Sequence, residues 1–241
     1  MAITTFRAKV REHELLAGRF QYVDFELMSP ARIQFQGGQY LIMKVPGMEE
    51  RRNYSIASEP AQDHSVEILV DISPGGDGSL YLASLSPGDE AEFMAPAGVF
   101  VVADPESELG RAEEKLLFVA TGSGISSIRS QILDLLQTKK DKREMYLHWG
   151  MRYVEDLFWE EEFRELAEFF PNFHFDLVLS RPPRQWSLCS GYVTHCVAEH
   201  HKDFSKIGVY LCGNGQMLVD MTTLLTERGI QKEHIHTEKF F

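Results

Sequence analysis

Near residue 103 the texture of this chain changes, and that change bounds what it can fold into. Before it come short alternating runs: FRAKVREHELL, GRFQYVDFELM, SPARIQFQGGQYLIMKVPG, then VEILVDISPGGDGSLYLASLSPGDEAEFMAPAGVF. Gly37-Gly38, Pro46-Gly47, Pro74-Gly75-Gly76 and Pro87-Gly88-Asp89 punctuate them as turns. Short strands at this spacing predict a closed antiparallel β-barrel. Only Leu80 to Leu85 reads as a helix there, with Ser79 as its cap. After residue 115 apolar runs of strand length alternate with helical patterns. KLLFVA precedes IRSQILDLLQTKK, where Ile128, Ile132, Leu135 and Leu136 share one side. EMYLHWG precedes EDLFWEEEFRELAEFF, NFHFDLVLS precedes YVTHCVAEHH, KIGVYLCG precedes QMLVDMTTLLTERG, and IHTEKFF closes as a strand. That order predicts an α/β domain with a parallel sheet and helices on both faces. The acidic, Pro- and Gly-containing stretch ADPESELGRAEEK, residues 103–115, is the linker candidate. The expected domains are therefore 1–105 and 113–241.

Charge removes some function classes. A net charge of −12 over 241 residues argues against nucleic acid as a partner, which would need a basic footprint. It also gives no general attraction to an anionic membrane. The longest apolar stretches, such as LLFVA, fall far short of the roughly 20 residues of a membrane span. The opening MAITTFRAKVREHELL carries no apolar run long enough for a signal peptide. The expected location is the cytoplasm. Cys189, Cys196 and Cys212 are too far apart for a metal knuckle and read as free thiols. His195, His200 and His201 read as solvent-facing positions on a polar helix face, and no metal site is expected.

Four stretches can carry chemistry. RRNYSIAS, Arg51 to Ser58, puts two guanidinium groups beside an aromatic ring and small hydroxyls, either as an edge strand or as a ligand-facing one. A guanidinium forks onto a phosphate, a tyrosine ring stacks on a flat heterocycle, and a serine hydroxyl reaches a ring nitrogen. PGGDGSLYL offers Gly76, Gly78 and Ser79 at a helix start, a plain turn or an anion cradle. ATGSGISSIRS links a buried strand to a helix, and Gly122 and Gly124 let backbone amides approach a dinucleotide pyrophosphate. It is not the G-x-G-x-x-G fingerprint, because position 127 is Ser. LCGNGQM repeats the strand-to-helix turn later, with Cys212 either touching a substrate or filling the core.

Taken in order, these motifs resemble the ferredoxin–NADP reductase superfamily of flavoenzymes over nearly the whole chain. RNYS matches its flavin motif, GGDGS its flavin pyrophosphate turn, and PGD with PAGVF its barrel-closing segment. ATGSGIS matches its nicotinamide-nucleotide loop, LCGN its nicotinamide motif, and EKFF its acidic-aromatic ending. The resemblance implies an FAD-binding N-terminal barrel and an NAD(P)-binding C-terminal domain. It implies that Arg52 holds FAD phosphates, Tyr54 stacks on the flavin, Ser55 bonds near its reactive nitrogen, and Gly76, Gly78 and Ser79 cradle the pyrophosphate. Thr121, Gly122, Gly124, Gly213, Asn214 and Met217 would line the nicotinamide dinucleotide, with Arg152, Ser180 and Arg181 near the adenosine ribose. Ser55, Cys212 and Glu238 would flank the hydride path, and Phe240 or Phe241 would cover the flavin. The implied activity is hydride transfer from NAD(P)H to FAD, then electron transfer to a separate acceptor such as a ferredoxin or an oxygenase component. Free flavin as acceptor and a non-catalytic regulatory subunit are the alternatives. Two departures stand out. Ser126-Ser127 replaces the family's small residue–proline, and the chain lacks the Cys-x4-Cys-x2-Cys iron–sulfur segment of some fused relatives.

Overall fold

The computed structural model describes residues 2–239. Phe240 and Phe241, expected over a flavin, lie outside the described residues. The chain divides into two compact units, Met1–Val101 with Arg129–Lys140, and Val102–Ile128 with Asp141–Phe241.

The first unit is a nearly closed antiparallel barrel. Its strands are β1 (Thr4–Leu16), β2 (Phe20–Ser29), β3 (Tyr40–Met43), β4 (Arg52–Ser55), β5 (Ser65–Asp71) and β6 (Glu90–Ala97), ordered β4-β3-β6-β1-β2-β5. Just beyond β4, Ile56 bridges Ile68 and the Ala57 N–H donates to the Glu67 carbonyl at 2.7 Å, so the two outer strands meet. Alternation aims one face inward. Phe6, Ala8 and Val10 of β1 and Val23, Phe25 and Leu27 of β2 are buried together with Phe93, which stacks on Phe6 at 5.7 Å. A helix α1, Asp77–Ser84, opens three residues earlier than the sequence pattern suggests. Its N-cap is Gly76 rather than Ser79, and the Ser79 hydroxyl instead donates back to the Gly76 carbonyl at 2.7 Å. Arg129 serves this unit too: its guanidinium donates to the Ala57 carbonyl and to Glu67, each at 2.8 Å.

The second unit is a parallel sheet. A short helix α2 (Glu108–Ala112) leads into β7 (Lys115–Thr121) and α3 (Ile125–Leu133). There follow β8 (Glu144–Met151), α4 (Glu160–Phe169), β9 (Phe173–Leu179), β10 (Cys189–Ser190), α5 (Val193–His200), β11 (Ile207–Gly213), α6 (Gly215–Glu227) and β12 (Ile235–Lys239). The order β10-β9-β8-β7-β11-β12 places β7 where the winding reverses. Period two sorts the strand residues between faces. Leu117, Val119, Val209 and Leu211 pack with Val193, Cys196 and Val197 of α5 and Met217, Leu218 and Met221 of α6. Trp149 turns the other way, edge-on to Phe163 of α4 at 6.0 Å.

Two sequence expectations change here. His201 is buried, because the end of α5 turns inward. The acidic stretch at 103–115 is structured, and Glu113 at its end is wholly buried. The Glu113 carboxylate accepts from the Tyr210 hydroxyl at 2.9 Å, from His236 Nε2 at 3.0 Å and from His234 Nδ1 at 3.1 Å. Burial alone would raise its pKa, but the donors from His236, His234 and Tyr210 outweigh it and hold the group below the ordinary carboxylate range. No helix among the described residues is long and apolar enough to cross a membrane.

Candidate functional site: two nucleotide cradles

In the barrel unit, β4 pairs with β3 in the register Tyr40↔Ser55, Leu41↔Tyr54, Ile42↔Asn53 and Met43↔Arg52. Tyr54 and Ser55 are buried, so the aromatic ring is fixed, while Arg52 stays half-buried and its guanidinium donates to the exposed Glu50 carboxylate at 3.0 Å. Burial pushes the Tyr54 phenol up to about 12, against a lowering by Arg52, so the ring is neutral at physiological pH. The start of α1 lies on these two residues. A Cβ at Gly78 would strike the Tyr54 hydroxyl and come within 2.8 Å of Arg52 Cγ. No side chain caps this helix, so its first N–H groups are not satisfied by a cap. Arg52, Tyr54, Gly76, Gly78 and Ser79 are thus brought together from two separate motifs. An uncapped helix start beside a guanidinium is suited to a diphosphate, and a neutral aromatic beside it is suited to a flat ring. The residues present fit FAD.

In the sheet unit, the second cradle sits at the carboxyl ends of β7 and β11. Gly122 to Gly124 form a 3-10 turn after Thr121, and Gly122 has a φ of +55°. A Cβ at Gly124 would lie 2.5 Å from the Cys212 carbonyl, so only glycine lets the two strand ends approach. Thr121 Oγ1 accepts from the Asn214 N–H at 2.9 Å, and Asn214 Oδ1 caps α6 by accepting from the Gln216 N–H at 2.8 Å. Gly213 lies between them with a φ of +140°, and Met217 is buried in the first turn of α6. The Ser126 and Ser127 hydroxyls, which replace the family's small residue–proline, donate to the Ser123 and Gly124 carbonyls at 2.8 and 3.3 Å. They tie the turn by hydrogen bonds where proline would stiffen it.

Arg152, Ser180 and Arg181 follow the ends of β8 and β9 on this same carboxyl edge. The Ser180 N–H donates to the Met151 carbonyl at 3.0 Å and the Arg181 N–H to the Arg152 carbonyl at 2.9 Å. The Arg181 guanidinium donates to the Tyr153 hydroxyl at 2.9 Å and both arginines are exposed. Cys212 is fully buried, opposite Glu238 in the β11–β12 register, with its thiol 3.9 Å from Glu238 Oε2. Burial, then the Glu238 charge, raises its pKa well above the ordinary thiol value, so it is a thiol and not a thiolate. Ligands of open parallel sheets bind at carboxyl ends where the winding reverses, and these residues occupy that position. Sequence reasoning found these loops but missed Asn214 as a helix cap for the same turn. The Asn-Gly pair after a strand was the available signal.

An antiparallel barrel with a flavin-type cradle and a parallel sheet with a dinucleotide-type cradle define a two-domain FAD- and NAD(P)H-dependent oxidoreductase. The comparisons with known proteins agree. Residues 7–102 match the oxidoreductase FAD-binding domain and residues 118–223 the oxidoreductase NAD-binding domain. "Ferredoxin--NADP reductase B" of Sorangium cellulosum is 30% identical over 98% of this chain and 97% of its own length. The "Phenol hydroxylase P5 protein" of Acinetobacter pittii is 32% identical over 99% of this chain, which spans 66% of that protein. The phenol 2-monooxygenase reductase component DmpP of a Pseudomonas strain is 35% identical over 86% of this chain and 58% of its own length. Among solved structures, the Amycolatopsis cytochrome P450 reductase GcoB superposes with a TM-score of 0.87 at 28% identity, over 99% of this chain and 70% of that one. The chain belongs to the ferredoxin–NADP reductase superfamily.

Proposed function

We propose that this chain takes reducing equivalents from NAD(P)H and delivers them to a separate redox protein, a ferredoxin or the oxygenase component of a larger system. When bound, FAD supplies the redox chemistry, accepting hydride and releasing electrons onward. The chain supplies binding, alignment and electrostatics. Arg52, the first amides of α1 and Ser79 would hold the FAD diphosphate. Tyr54 would offer its ring face, and the Ser55 hydroxyl would bond to the flavin edge. Thr121, Gly122, Gly124, Gly213 and Asn214 would admit the nicotinamide nucleotide, with Met217 beneath it. Arg152, Ser180 and Arg181 would receive its adenosine ribose. Cys212 would fill the strand end as a neutral thiol, and Glu238 beside it would hold a proton or shape the pocket. On this reading the protein works in the cytoplasm, where its thiols stay reduced.

The observation that carries the reading is the uncapped start of α1 laid on Arg52 and Tyr54, with Gly78 as the residue that permits it. The names of the relatives support the class of acceptor. The test is flavin content after gel filtration, then anaerobic bleaching by NADH and by NADPH, then turnover with a panel of ferredoxins and oxygenase components. Stoichiometric flavin that bleaches and reduces a protein acceptor is the expected result. Protein that stays colourless after incubation with FAD would overturn the reading. Turnover only with added free flavin would move the assignment to a flavin reductase.

A further inference from the structure

Away from the nucleotide edge, a second cluster of ligand-type side chains forms between α5 and the sheet. His148 of β8 and Asp176 of β9 are register partners and share a face. Cys196 and His200 sit one turn apart on α5, the spacing that puts two side chains on one helix side. Cys196 Sγ lies 3.4 Å from His148 Nδ1 and 3.9 Å from His200 Nδ1. Asp176 Oδ2 lies 2.9 Å from His200 Nδ1 and 3.5 Å from His148 Nδ1. All four atoms fall within 4.8 Å of one another. We infer that these four atoms bind one divalent transition-metal ion of the zinc type, at a site distinct from both nucleotide cradles.

Geometry and chemistry both support the assignment. A tetrahedral shell with bonds of about 2.0–2.2 Å to nitrogen and oxygen and about 2.3 Å to sulfur separates its ligand atoms by roughly 3.3–3.8 Å. The four separations given above straddle that range, the remaining two pairs lie within 4.8 Å, and side-chain shifts of up to about 1 Å would close the shell. Two imidazoles, one thiolate and one carboxylate form a mixed nitrogen, sulfur and oxygen set suited to zinc rather than to calcium or magnesium. On binding, Cys196 releases its proton, and the thiolate and carboxylate then balance the two charges of the ion, as a half-buried site requires.

The outer contacts fit as well. Both histidines face the cluster with Nδ1, and each Nε2 has its own partner. His148 Nε2 lies 2.9 Å from His201 Nε2, and His200 Nε2 lies 3.7 Å from Cys189 Sγ. Metal-bound histidines usually donate their second ring N–H in this way, which fixes tautomer and ring orientation. A groove of about 440 Å³, lined by Asp176, His200, Cys189, Arg164, Phe175 and Leu188, opens onto Asp176 and His200 and gives the ion a way in. His148 and Cys196 form the buried floor. The bound ion would pin α5 to β8 and β9.

The test uses the flavin-loaded full chain. Metal content is measured after desalting from zinc-containing buffer. The ion is then stripped with a chelator, and zinc alone is titrated back against a chromophoric competitor. One zinc per chain, a lower Tm after stripping, and a thiolate-to-cobalt charge-transfer band on cobalt substitution are expected. His200→Ala alters an exposed position and Asp176→Asn a half-buried one, and both should abolish stoichiometric uptake at unchanged flavin content. His201→Ala removes the outer partner of His148 Nε2 together with ring contacts to Tyr146 and Phe204, and should weaken zinc about 10–100-fold. His195→Ala, an exposed residue on the same helix, should change nothing. Less than one equivalent retained by the wild-type protein would overturn the proposal. So would equal binding by the His200 and Asp176 variants, or a Cys189–Cys196 disulfide in place of the metal.

Discussion

Replacing Glu113 with Gln keeps the shape of a wholly buried side chain and removes only its charge. In the native protein three donors converge on the carboxylate, from Tyr210, His236 and His234. Gln can still accept from both histidines through Oε1. Its amide must then face the Tyr210 hydroxyl, whose oxygen already accepts from the Ala103 N–H at 3.1 Å. Two donors would share that oxygen and the phenol proton would lose its acceptor. A hydrogen bond to a charged group contributes about 1.5–3 kcal/mol, so Glu113→Gln should cost about that much. Glu113→Ala strands all three donors and should cost about 3–5 kcal/mol. Gly208→Ala reaches the same group from the other side, since its Cβ would strike the carboxylate. The sign of the pH dependence follows from the lowered pKa. Glu113 binds its proton more weakly folded than unfolded, so its contribution is fully present above the usual value of 4.5. It fades as pH falls from there through the folded-state value. The gap between wild type and Glu113→Gln should therefore be constant from neutrality down to about pH 5 and narrow below it. All three tryptophans, Trp149, Trp159 and Trp186, lie in the sheet unit, so their fluorescence in urea titrations reports this unit. Equal midpoints for wild type and Glu113→Gln at neutral pH, or a gap that widens in acid, would refute the reasoning.

Gly78→Ala should lower retained flavin about tenfold or more, because the new methyl meets the Tyr54 hydroxyl and Arg52 and overpacking costs about 1–3 kcal/mol; a flavin absorbance-to-protein ratio checks it. Arg129→Ala removes the donor to the Ala57 carbonyl and the cation beside Glu67, leaving that carboxylate, among the described residues, only the Gln62 amide at 3.4 Å, at a site where both charged side chains are 13% exposed, and should cost the barrel unit about 3 kcal/mol, read by far-UV melting of the flavin-loaded protein. Cys212 should resist alkylation at mildly alkaline pH in the folded protein and react on unfolding, since burial and Glu238 keep it a thiol; mass-spectrometric mapping of labelled cysteines decides it.

Much of the nucleotide-binding architecture is legible in the sequence because its determinants are local. A strand, a glycine turn and a helix occupy consecutive residues in ATGSGISSIRS and LCGNGQM, so backbone chemistry can be read from spacing. RNYS and GGDGS are also readable one at a time, but their meeting is not. It depends on Gly78 lying against Tyr54, a contact over more than twenty residues that no periodicity encodes. The α1 boundary departs from the sequence pattern for a related reason: Ser79 looks like a cap by residue type, yet its hydroxyl closes onto Gly76 once Asp77 has already begun the helix.

The histidines show where composition misleads. YVTHCVAEHH has a polar face, and on that ground all its histidines read as solvated. Helix α5 ends at His200, and the following residue turns inward to meet His148, a strand residue over fifty positions earlier. Burial of His201 and His148 therefore follows from sheet order, since β8 and β9 must be neighbours before Asp176 and α5 share a face. Glu113 follows the same logic at the opposite end of the sheet: an acidic residue in a linker-like stretch becomes a buried acceptor only after β12 brings His236 alongside β11 and Tyr210. In both places the polar residues are held by long-range pairing of parallel strands. Disturbing strand order should thus release both clusters together, while changes confined to either glycine turn should leave them intact.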